Sequence, residues 1–90
     1  MSGGRGSERG LRELLARLRE RLSQSRAVDA DSRNHLSAVV SDIDSELGSG
    51  GAASAHAPRL ESLAVRFEAD HPGLAEVIRE VIDALVRGGV

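Results

Sequence analysis

The 90-residue chain has no cysteine, no tryptophan, no tyrosine and a single phenylalanine, Phe67. Without cysteine, neither a disulfide framework nor a thiolate metal site can reinforce so short a chain. Without aromatic side chains there is little with which to stack nucleobases or line a pocket for a drug-sized ligand. No stretch comes near the roughly 18 apolar residues of a membrane span. The opening Met1-Ser2-Gly3-Gly4-Arg5-Gly6 lacks the apolar centre of a signal peptide, which makes a cytoplasmic protein the default expectation. Lysine is also missing, and all twelve basic residues are arginine.

Leucine, valine, isoleucine and alanine dominate the apolar content, a mixture suited to helix seams. A chain of this size buries only roughly 60% of the surface that it exposes when unfolded, so marginal stability and association with further copies are expected. Charge is distributed unevenly. Residues 1–28 carry seven Arg against three Glu, and residues 29–90 carry five Arg against eleven Asp and Glu. Because Glu8, Glu13 and Glu20 interrupt the basic part, we expect the two parts to face each other rather than an external polyanion.

Residues 1–6 are glycine-rich and expected to be disordered. Leu11, Leu14, Leu15, Leu18 and Leu22 then recur at spacings of three and four, which places them on one stripe of a helix from about Ser7 to Gln24. Asp29 is a good N-cap for a second helix, with Asp31 in the first turn. Leu36, Val39, Val40, Ile43 and Leu47 form its stripe, and Asp42, Asp44 and Glu46 make its polar face acidic. Matching stripes, opposite charge and a short loop predict an antiparallel helical hairpin over residues 7–47. The run 48–57, rich in Gly, Ser and Ala, reads as a flexible linker long enough to leave exchange of the last segment between chains open.

From Leu60 onwards two series of sevens interleave. One is Leu60, Phe67, Leu74 and Val81; the other is Ala64, His71, Ile78 and Leu85. A strict seven-residue repeat kept this long is the pattern of a supercoiled seam, and it makes these eight residues the candidate association surface. Val77 and Ile82 widen the stripe, so this half is expected to touch more than one neighbour. Pro72 interrupts the repeat: it lacks a backbone donor, clashes with the carbonyl of Glu68 and disfavours the α conformation at His71. Either the helix breaks, with Asp70 or His71 as N-cap and Pro72 in the first turn of a new helix, or one helix over 58–87 continues with a kink. Since the repeat keeps its phase across the proline, the kinked continuous helix is the preferred expectation. The fold class is therefore all-α, a helical hairpin plus a long Pro-kinked C-terminal helix in a coiled-coil-like bundle.

Phe67-Glu68-Ala69-Asp70-His71-Pro72-Gly73-Leu74, then Asp83-Ala84-Leu85 and the closing Gly89-Val90, resemble the C-terminal signature of a short bacterial family catalogued as domain of unknown function 4404. Leu11-Arg12-Glu13-Leu14-Leu15 is similar to the way its members begin. The resemblance implies a small helical bacterial protein and implies no activity.

Candidate chemistry is sparse. Glu68 and His71 have the i, i+3 spacing that di-iron bundles use for one metal, but a complete site would need a second copy and further inward carboxylates. The reading preferred for Glu68, Asp70, His71 and Pro72 is a structural corner that satisfies backbone groups freed at the proline. His35 and His56 are read as incidental. No nucleophile–base set and no strand-borne phosphate loop can be assembled, so no catalytic residue and no cofactor is expected. Arg9, Arg12, Arg17, Arg19, Arg21 and Arg26 do not share a helix face, which disfavours nucleic acid as a partner. The expectation is a non-enzymatic module that forms a homo-oligomer, a dimer or larger, or binds another protein, with no membrane association. Metal binding at Glu68 and His71 is the alternative, and arginine-mediated nucleic-acid binding a further one.

Overall fold

A computed structural model describes residues 3–49 and 53–88, with side chains over 10–48 and 55–87. Four α-helices follow one another: α1 Gly3–Gln24, α2 Ala30–Ser49, α3 Ala57–Glu68 and α4 Pro72–Gly88, with a short 3-10 turn at Ala53–His56 before α3. Each helix is antiparallel to the next. α1 also packs along α4, which closes a bundle of 42 × 21 × 19 Å in which α1 lies diagonal to α3 and α2 to α4.

Most of the stripe residues read from the sequence form the bundle's interior, joined by Leu63, while Leu14 and Leu47 are only partly buried against it. Leu11, Leu15, Leu18 and Leu22 of α1, Leu36, Val39, Val40 and Ile43 of α2, Leu60, Leu63, Ala64 and Phe67 of α3, and Leu74, Ile78, Val81 and Leu85 of α4 are all buried in one core. As expected from its width, the α4 stripe serves two neighbours. Its Val77 edge lies on the flank that Glu80 shares with α1, and Ile82 lies on the flank that Arg79 shares with α3.

The loop between α1 and α2 is built from caps. Asp29 accepts a hydrogen bond from the Ser32 backbone N–H at 3.1 Å through its carboxylate, and its carbonyl accepts one from Arg33 N–H at 3.0 Å, the two marks of an N-cap. These bonds from Ser32, its backbone N–H first and its hydroxyl second, hold the Asp29 carboxyl below the usual range. Across the loop, the Arg33 guanidinium donates to the carbonyls of Leu22 at 2.9 Å and Ser25 at 2.6 Å. A residue of the first turn of α2 thereby satisfies carbonyls at the end of α1, where the helix dipole favours a cation.

The structure corrects three boundaries. α1 already includes Gly3 to Gly6, within the stretch expected to be disordered, while Met1 and Ser2 lie outside the described residues. Of the expected linker 48–57, Gly48 and Ser49 close α2, residues 50–52 lie outside the described residues, and 53–57 are helical; His56 Nε2 there sits 3.2 Å from the Glu46 carboxylate. The largest correction concerns residues 58–87. They form two antiparallel helices, α3 and α4, not one kinked helix. The phase argument fails for a physical reason. A hairpin between two helices that face the same core needs the same inward stripe on both arms, so an unbroken repeat does not distinguish a bend from a reversal when the turn is only residues 69–71 long.

Candidate functional site

At the reversal, α3 stays helical to its C-cap Ala69, at φ −74° and ψ −45°. The His71 N–H donates back to the Phe67 carbonyl at 2.6 Å, and the His71 carbonyl accepts from Leu74 N–H at 3.0 Å and Ala75 N–H at 3.1 Å. His71 is thus the N-cap of α4 and Pro72 its first helical residue, where the missing N–H has no intrahelical partner to lose. The half-buried His71 ring meets Phe67 edge-on, with centroids 6.0 Å apart and planes at 70°. Glu68 turns to the other helix, and its carboxylate accepts from Arg79 at 2.9 Å. The two candidate metal ligands therefore have different structural roles, one as a strut between α3 and α4 and one as packing under the turn. Among the described residues, no three His, Asp or Glu side chains are grouped so as to hold a metal ion. Asp70 is exposed.

The eight positions of the heptad repeat lie inside the chain's own core. Leu60, Ala64, Ile78 and Val81 are fully buried, Phe67, Leu74 and Leu85 nearly so, and His71 is half-buried. Covering this stripe requires no second chain.

The arginines of α1 flank its leucine stripe on both sides. Arg12 and Arg19 reach Asp44 of α2 at 3.1 and 3.5 Å, and Arg17 reaches Glu80 of α4 at 3.3 Å. The end of Arg21 lies over Gly73, so close that a Cβ on residue 73 would meet its guanidinium at 2.8 Å. This is the facing of basic and acidic parts inferred from the charge distribution, and it divides the arginines between two inter-helix grooves. Arg26 is exposed in the loop; the side chain of Arg9 lies outside the described residues. His35 is exposed on α2.

One surface remains whose composition internal pairing does not explain. Val65 and Val86 are the large apolar side chains left exposed among the described residues, each at 61%. On α3, Arg59 and Arg66 point to Asp42 and Ser32 of α2, whereas Glu68 points to Arg79, so the Glu68 flank faces α4. Val65 lies three residues before Glu68 and four after Glu61, on that same flank. On α4, Ile82 and Val86 follow Arg79 by three and seven residues and share its flank. Val65 therefore lies toward the α4 side of α3, and Ile82 and Val86 lie toward the α3 side of α4.

Neither Val65 nor Arg33 stands out in the sequence. Val65 is off the four-three repeat, and a valine beside Ala64 passes for a broadening of the core stripe. Arg33 carries one signal: a cation in a first turn opposes its own helix dipole and so points to a neighbouring chain end.

The family model described as domain of unknown function (DUF4404) matches residues 11–90, and the chain belongs to that family. No curated protein and no solved structure matches it. No helix among the described residues is long and apolar enough to cross a membrane.

Proposed function

We propose that the chain is a non-enzymatic interaction module that self-associates through the outer edge of the α3–α4 hairpin. The observation that carries this reading is the exposure of Val65 on α3 and Val86 on α4, the large apolar side chains left exposed among the described residues. Ile82, half-buried on α4, lies one turn before Val86 and adds apolar surface beside it, which a partner can cover. The heptad stripe supports the fold of a single chain in this reading, and the contact surface lies beside it, on the same two helices. Polar groups support the same view, because Glu68, Arg79, Asp44 and Glu80 form struts between helices.

Sedimentation velocity from low to high micromolar concentration tests this directly. The expected result is a mass that grows with concentration. A monomer across the whole range would overturn self-association.

A further inference from the structure

The chain is helical on both sides of a very short reversal. Ala69 still has helical dihedrals, at φ −74° and ψ −45°, and the His71 N–H reaches back four residues to the Phe67 carbonyl, the bond that an uninterrupted helix would make. The His71 carbonyl already accepts from Leu74 and Ala75 of α4. Asp70 and His71 therefore carry the change of direction. The apolar stripe passes through it in phase, Phe67 to Leu74 and Ala64 to His71 to Ile78 in steps of seven, so the same residues would share one face of an unbroken rod.

Within one chain the rod loses on packing, because it would carry α4 out of the groove between α1 and α3 and expose Leu74, Ile78, Val81 and Leu85. Between two chains that penalty vanishes. Each rod places its α4 in the groove of the other chain, and the contacts of α4 with α3 and α1 form again, Glu68–Arg79 and Arg17–Glu80 included. What then separates hairpin from rod is local. The tether gives α4 an effective concentration of about millimolar at its own groove, and the residues at the turn set the rest.

Pro72 and Gly73 suit the hairpin and oppose the rod. As the first residue of α4, Pro72 has no intrahelical bond to lose; inside a rod it would leave the Glu68 carbonyl without a donor and press its ring against it. Gly73 lies in the first turn of α4, with the Arg21 guanidinium 2.8 Å from where a Cβ would stand; inside a rod it would be mid-helix, where glycine is weakest. We propose that Pro72 and Gly73 together keep this chain a closed bundle, and that without them it converts to a dimer whose chains exchange α4. This inference does not rest on self-association through the exposed valines, since the exchanged dimer uses contacts that the closed bundle already makes.

The test uses the full chain with Pro72→Ala, and with Pro72→Ala and Gly73→Ala together, at about the millimolar concentration that matches the tether. Each proline costs a rod on the order of a hundredfold in equilibrium constant and the dimer holds two, so Pro72→Ala is expected to strengthen exchange on the order of 10⁴-fold. Glycine adds about fivefold per chain, so the double variant is expected to dimerise at least about tenfold more tightly still. The end of the flexible Arg21 side chain can move aside for the new Cβ. Sedimentation gives the mass, and crosslinking gives the arrangement. Because the chain has no cysteine, Glu68→Cys and Arg79→Cys put one thiol on α3 and one on α4, and a short bismaleimide joins them. In an exchanged dimer the link runs between chains and denaturing electrophoresis shows a covalent dimer. In any association of closed bundles it stays within one chain, as expected for the same cysteines with Pro72 and Gly73 intact. Covalent monomers from both variants, or a sedimenting mass that neither variant raises, overturn the proposal whatever the oligomeric state of the wild-type chain.

Discussion

Between α1 and α2 the packing is supplemented by polar groups at every level: Arg33 on the carbonyls of Leu22 and Ser25, Asp29 on the Ser32 N–H, and Arg12 and Arg19 on Asp44. Between α3 and α4 the contact is more extensive and mostly apolar, with the small, buried Ala64 and Ala75 among its residues and Glu68–Arg79 as an exposed strut. The two turns differ in the same way. One is set by side-chain hydrogen bonds to chain ends, the other by a proline that cannot continue a helix and a histidine carbonyl that starts the next. A hairpin held by directional bonds depends on the identity of a few polar residues; a hairpin held by area depends on volume and shape.

The sharpest way to break this contrast is to remove volume from the second hairpin. Ile78→Ala deletes a fully buried side chain and is expected to cost about 2–5 kcal/mol, read from the urea midpoint, a large fraction of what so small a domain can have. Next comes Arg33→Ala in the first hairpin, which leaves two carbonyls without their charged donor and is expected to cost about 2 kcal/mol. Arg33→Lys should recover only part of it, because an ammonium cannot fork to two carbonyls in a plane. If Lys restored the full midpoint, the directional account of this turn would be wrong.

Asp29 adds a smaller, pH-dependent component. Its carboxyl is held below the ordinary value of 3.8 by the bonds from Ser32, so its contribution is present above that pH and is lost as the pH falls through the lower folded-state value. Acid titration of the thermal midpoint should show this loss, and Asp29→Asn, which keeps an acceptor without the titrating group, should flatten that part of the curve. The smallest effect is expected for Asp44→Asn. Its pairs with Arg12 and Arg19 are partly exposed, so about 0–1 kcal/mol is expected, and it should diminish in high salt, unlike the loss in Ile78→Ala.

Much of this was legible in the chain itself. The four stripes of buried aliphatics follow from spacings of three and four, since a side chain's face on a helix is fixed by its position in sequence. Asp29 was identifiable as a cap because a short acceptor just before a periodic segment meets an orphan N–H whatever surrounds it. The opposition of a basic first helix to acidic partners was readable from counting alone. Direction was not. Whether the chain turns back after Phe67 is decided by whether α1 and α2 offer a groove that a hairpin fills better than a rod, a comparison of packed areas that no local pattern encodes. The same holds for Val65 and Glu68: their chemistry is written in the sequence, but the exposure of the one and the reach of the other to Arg79 arise only once four helices stand side by side.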